Sequence, residues 1–174
     1  MKILLILAVA VAVLALVVAS RPSEFSITRS AVMSAPAQKV FEQVNDFHKW
    51  EAWSPWAKMD PNAKNTFSGA ASGTGAGFRW EGNNDVGVGS MLITESVPGE
   101  TIRIKLAFEK PFAATNETLF TFKEQGGQTT VTWTMSGKNN FIGKAMSLVM
   151  NCDKMVGGQF EKGLANMKAL AEKA

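Results

Sequence analysis

Apolar and polar positions along this chain fall into distinct blocks, each with its own period. Residues Ile3 to Ala19 form an unbroken apolar run, with no polar face at any helical spacing. Phe25 to Met33 alternates in part and is rich in β-branched side chains, which predicts a strand. Ser34-Ala35-Pro36-Ala37 then opens a helix, with Ser34 as N-cap and Pro36 in the first turn. Val40, Phe41, Val44 and Phe47 follow at amphipathic spacing. A second short helix is predicted over His48 to Trp53, closed by Ser54-Pro55, and Asp60 to Lys64 read as a turn.

Beyond Thr66 the period changes. A small-residue segment from Gly69 to Gly77 reads as a mobile connection between strands. Alternating runs follow at Phe78–Trp80, Ser90–Val97, Thr101–Phe108, Thr118–Lys123 and Thr129–Met135. Three legible turns separate them: Gly82-Asn83-Asn84-Asp85, Pro98-Gly99-Glu100 and Gln125-Gly126-Gly127-Gln128. Alternation of Ile102, Ile104, Leu106 and Phe108 against Arg103 and Lys105 predicts one buried and one wet face. The chain closes on a long helix from about Gly143 to Glu172, whose apolar stripe runs through Ala145, Val149, Cys152, Val156, Phe160, Leu164, Met167 and Ala171.

This order predicts an α+β fold: a curved antiparallel sheet of about six to seven strands around one long C-terminal helix, with an N-terminal membrane helix added. The sheet's apolar face and the helix's apolar stripe must cover each other. A deeply curved sheet leaves space beneath it. The inward positions that would line such a cavity are Phe78, Trp80, Ile104, Leu106, Phe108, Phe120, Trp133 and Met135, with Met146, Met150 and Phe160 from the helix. Taken singly, each is equally an ordinary core residue. Trp50, Trp53 and Trp56 either pack the short helices against the sheet, gate the mouth or touch lipid headgroups. Trp53, Trp56, Gly75 and Gly77 are the entrance candidates.

The leading run spans roughly 26 Å as a helix, the short end of what a bilayer requires. Two readings stand, an uncleaved anchor and a signal peptide cut near Val17-Val18-Ala19. The division is therefore residues 1–21 as anchor or signal and 22–174 as the soluble domain. Lys2 and the free amine on one side, against Arg21 and Arg29 with Glu24 between them on the other, favour a cytoplasmic N-terminus only slightly.

Composition narrows the chemistry. The 174 residues carry a formal charge of +3, a weak footprint for nucleic acid. A single cysteine forms no internal bridge, and a single histidine builds no multi-histidine metal cage. No metal or organic cofactor is implied. Gly69–Gly77 lacks the Gly-Lys-Ser/Thr ending of a phosphate loop. His48 is the one imidazole, with Asp46 and Glu51 beside it as cap or surface charges. Glu81, Glu95, Glu117 and Arg79 fall in strands, where an inward carboxylate would act as acid or base. Cys152, on the apolar stripe, reads as an inert small hydrophobe.

Several blocks carry a resemblance: Ser34-Ala35-Pro36, the run Asp46 to Trp56 (DFHKWEAWSPW), Gly75-x-Gly77-Phe78-x-Trp80, and Gly158-x-Phe160-Glu161-x-Gly163-Leu164. Over about residues 23–172 the chain resembles the SRPBCC superfamily of START-like lipid-transfer proteins, polyketide cyclases and coenzyme-Q-binding proteins. It is similar to the bacterial subgroup of polyketide cyclase/dehydrase and lipid transport proteins, often with an N-terminal membrane segment. The resemblance implies a helix-grip fold like that of the birch-pollen allergen. It also implies a hydrophobic small molecule or lipid as partner. In a bacterium, the slight charge preference for a cytoplasmic N-terminus places the tethered domain on the periplasmic side of the inner membrane. Carriers, enzymes and regulators share that fold, so an activity does not follow from it. Three functions remain open: a tethered carrier, a cyclase or dehydratase using an inward carboxylate or His48, and a non-catalytic stress or chaperone-like interaction module.

Overall fold

The computed structural model describes residues 2–173. Helix α1 (Lys2–Ser20) precedes strand β1 (Glu24–Met33) and helix α2 (Ala37–Asn45). A 3-10 turn (Phe47–Lys49), helix α3 (Trp50–Trp53) and a second 3-10 turn (Trp56–Lys58) follow. Strands β2 (Lys64–Gly69), β3 (Ala76–Glu81), β4 (Val88–Val97), β5 (Thr101–Lys110), β6 (Ala114–Gln125) and β7 (Gln128–Lys138) lead into helices α4 (Phe141–Val149) and α5 (Cys152–Ala171).

The seven strands form one antiparallel sheet in the order β1-β7-β6-β5-β4-β3-β2. Strands β2 to β7 are a simple meander, and β1 closes on β7 from the start of the domain. This is the helix-grip arrangement, with the sheet packed on the C-terminal helix α5. Register aligns the inner face in rows. One row is Ile27, Met135, Thr118, Ile104 and Ile93, and the next is Arg29, Trp133, Phe120 and Ile102. Except for Arg29, every member of both rows is buried. Over β1 lies α5, which contributes Phe160, Leu164, Met167 and Ala171 to the core at spacing 4, 3 and 4.

Four expectations need correction. The C-terminal helix is two helices, broken at Met150, whose backbone is extended. Asn140 accepts from the Gly143 N–H and Asn151 from the Lys154 N–H, so each helix has its own N-cap. The apolar stripe runs through the break, because helical spacing does not register a cap. Val149 and Cys152, on either side of the break, are exposed rather than packed under the sheet, because the opened elbow holds them away from it.

The turn read over Asp60 to Lys64 ends one residue earlier, and Lys64–Gly69 is a strand that the pattern did not predict, pairing with β3 from Lys64↔Glu81 to Gly69↔Ala76. All six of its residues are exposed, so the apolar alternation that marks a strand is missing. The glycine-rich segment after it is a tied-down hairpin end. The Gly73 N–H donates to the Asn45 carbonyl and the Gly75 N–H to that of Ile93, both at 2.9 Å. Gly69, Gly73 and Gly75 take positive φ there, which glycine alone adopts freely.

Ser34 is not the cap of α2. Pro36 holds that position without a side-chain bond, and Glu124 from the β6–β7 hairpin accepts the Ala37 N–H at 2.7 Å. The cap is thus supplied by a residue 87 positions away, beyond any local pattern.

Candidate functional site

Half of the space under the sheet is filled with aromatic rings. Trp133 stacks on Phe160 with centroids 4.0 Å apart and planes 9° from parallel, and on Phe120 at 4.8 Å. Trp53 and Trp56 meet Trp133 edge-on at 5.6 and 5.9 Å. The Trp50 indole N–H donates to the Val44 carbonyl and that of Trp53 to Gln43, locking α2 to α3. This solid block holds Ile104, Phe120, Trp133 and Phe160 of the expected cavity lining. It also holds Trp53, which is fully buried and therefore sits at no entrance. Trp56 is half-buried against Trp133 and Phe160.

Above the block the inner face opens. The next row, Phe25, Gly137, Asn116, Leu106, Met91 and Phe78, is mostly half-buried. Trp80 and Phe108 lie one row further, edge to face at 5.9 Å, with the Trp80 N–H donating to the Val86 carbonyl. Gly75 and Gly77 belong to the β2–β3 hairpin. Gly77 pairs with Ser68 and Leu92, and Gly75 is bonded down beside Ile93, so neither borders the open row.

Where β1 and β7 meet the elbow between α4 and α5, the sheet and the helices part. A cleft of about 590 Å³ lies there. Phe25, Ile27 and Met135 wall it on the sheet side, and Leu148, Val149, Met150 and Val156 on the elbow side. Asn139, Ser147, Asn151 and Asp153 add polar edges. Met135 and Met150 are the members of the expected lining that reach it; Met146 is half-buried on α4. Phe25 and Ile27 were legible as inward positions of the first strand. A larger trough, about 910 Å³, lies at the same end of the sheet; Phe25, Asn116 and Gly137 of the open row line it together with the outward-facing Ser26, Thr94, Lys105, Glu117 and Ser136. It is more open to solvent than the cleft at the elbow.

The residues considered for acid–base work lie elsewhere. Glu81 and Glu109 pair with Arg79, and Glu95 and Glu117 with Arg103, all on the outer face. Hydrogen bonding from Arg79 holds the Glu109 carboxyl below the usual range. His48 is exposed. Its Nδ1 lies 2.8 Å from Asp46 Oδ1, and its ring stacks on Phe67 at 4.0 Å. Asp46 also accepts the His48 N–H as the cap of the 3-10 turn. Among the described residues no cluster of three or more His, Cys, Asp or Glu side chains could hold a metal ion.

One residue, read from the sequence only as a charge flanking the leader, has a different place in the structure. Arg29 occupies an inward position between Ile27 and Ala31 and reaches under α5. Its Nε donates to Glu161 at 2.7 Å and its Nη2 to Asp153 at 3.0 Å. Those bonds raise the arginine's pKa and hold the Asp153 carboxyl below its ordinary value. The signal was parity: a cation on the apolar side of an alternating strand needs an acid above it.

Against known proteins, the family described as polyketide cyclase / dehydrase and lipid transport matches residues 24–172. No curated protein matches. Among solved structures the chain is similar to protein CV1439 from Chromobacterium violaceum, at 17% identity and a TM-score of 0.63, over 86% of this chain and 98% of that one. It is similar to the Aha1 dimer from Colwellia psychrerythraea, at 17% identity and 0.61, over 85% and 96%. The di-domain ARO/CYC protein BexL of the BE-7585A biosynthetic pathway gives 17% and 0.63, over 91% of this chain and 53% of that one. At such identities the likeness is one of fold.

Proposed function

This chain belongs to the polyketide cyclase / dehydrase and lipid transport family, and from that premise we propose that it binds a hydrophobic small molecule or lipid in the cleft between β1, β7 and the α4–α5 elbow. The observation that carries this reading is the cleft itself. Beside the ring-packed block, it is an apolar opening with a few polar groups at its edge, the composition of a ligand pocket. Methionines on both walls, Met135 and Met150, suit guests of varied shape. In this reading residues 1–21 are a retained anchor and 22–174 the binding domain, held on the periplasmic side of the inner membrane. Tethering keeps the cleft close to a source of apolar guests. A cyclase or dehydratase would need an acid or base at the cleft; Glu81, Glu95 and Glu117 lie in outer-face pairs, and the carboxylate at the cleft edge, Asp153, is paired with Arg29.

The test is photo-crosslinking of a diazirine-bearing fatty acid to the full chain in nanodiscs, with labelled peptides mapped by mass spectrometry. Labelling is expected on Phe25–Ile27 and on residues 148–156, and Val156→Trp should reduce it several-fold while the fold is retained. Labelling confined to α1 would overturn the reading.

A further inference from the structure

Outside α1, the domain's exposed large apolar side chains are unevenly placed. Phe141, Ile142 and Val149 lie on α4, Met150 at the elbow and Met155 in the first turn of α5. The remainder, such as Val32, Leu92 and Phe112, stand singly on separate elements. A contiguous exposed patch of this kind marks a binding surface.

Its neighbour identifies the occupant. Helix α1 bares apolar side chains on every side, and its one buried residue is Val18, in the last turn. At that end α1 packs against α4, and Lys144 Nζ donates to the Ala19 carbonyl at 3.3 Å. A 19-residue helix is roughly 28 Å long, close to the hydrocarbon thickness of about 30 Å. Its last turn therefore reaches the boundary between hydrocarbon and headgroups, and α4 lies beside that turn. Lys144, at the negative end of the α1 dipole, is placed as basic residues of interfacial helices are.

We infer that α4 and the following elbow are embedded in the leaflet from which α1 emerges, so that the cleft opens onto lipid instead of water. The inference rests on α1 being a retained span. The occupant is the bilayer. Phe141, Ile142 and Val149 enter it, while the polar side of α4 stays against the domain and the headgroups.

The test places an environment-sensitive fluorophore on single cysteines of the full chain in a Cys152→Ser background. The sites are Ile142→Cys, Val149→Cys, Leu7→Cys within α1, and Lys123→Cys on the distant end of β6. Each is reconstituted in phosphatidylcholine/phosphatidylglycerol vesicles with and without brominated acyl chains. Quenching by bromolipid at 142, 149 and 7, with none at 123, is the expected result. Quenching at 7 with 142 and 149 behaving like 123 overturns the inference and leaves the anchor standing. No quenching at 7 removes the anchor reading, and the inference with it. Shielding of 142 and 149 from an aqueous quencher without bromolipid quenching, rising with protein-to-lipid ratio, shows a second copy on the patch and also overturns it.

Discussion

Three glycines of α5 meet three different surroundings, and each should respond differently to a methyl group. At Gly158 nothing lies within 4 Å of the added carbon, so Gly158→Ala should stabilise by about 0.5–1 kcal/mol through helix propensity. At Gly163 the carbon would sit 3.0 Å from the Trp133 ring and 3.3 Å from Pro55, neither of which can yield, so Gly163→Ala should cost about 1–3 kcal/mol. Urea denaturation of the micelle-held chain, followed by tryptophan emission, distinguishes the two signs. At Gly157 the methyl overlaps the Arg29 guanidinium, the group that pairs with Asp153 and Glu161. The Asp153 pair also sets a pH dependence. A carboxyl held below its ordinary pKa contributes stability above the unfolded value, about 3.9, and loses it as pH falls through the folded one. Arg29→Gln should therefore be less stable at neutral pH, with the gap to the parent closing below about pH 4 in an acid titration by near-ultraviolet circular dichroism. At this scale the sequence was half legible. Parity identifies Arg29 as inward, but its acids lie 124 and 132 positions away, where no local pattern reaches.

The elements divide by how their ends are made. Strands with alternating apolar positions and turns built on Gly-Gly or Pro-Gly were readable, and β4 to β7 lie where that alternation puts them. Strand β2 has no buried residue, so it exists through pairing with β3 alone and leaves no apolar trace. The α4–α5 boundary was hidden for the opposite reason: the apolar spacing continues across it, and only Asn151 marks it. That cap is worth about 1 kcal/mol in other helices. Asn151→Ala should cost a comparable amount and loosen the elbow, read as faster amide exchange over residues 150–155 with β5 and β6 unaffected. Removal of the remote cap by Glu124→Ala should likewise cost about 1 kcal/mol and speed exchange at Ala37.

For the whole molecule, the sheet, its grip on a C-terminal helix and the apolar leader followed from period and order alone, because each apolar face needs one partner and few arrangements supply it. The shape of the interior did not follow. Inward residues were identifiable by parity, but whether they interlock or stand apart depends on ring orientation across Trp53, Phe120, Trp133 and Phe160, which hydrophobicity does not encode. The outcome is uneven: a ring-packed block toward α2 and α3, and a hollow at the elbow. In the proposed binding mode that block would act as a stop. An acyl tail entering beside Met150 would advance past Ile27 and Met135 and then meet the row of packed side chains behind them, where the plane of Trp133 is stacked with Phe160 and Phe120. In a graded series of fatty acids, affinity should climb by about 0.8 kcal/mol per methylene up to the length that touches this plane and stay flat beyond it. The protein would then measure its guests like a depth gauge, holding short chains whole and leaving the ends of long ones outside.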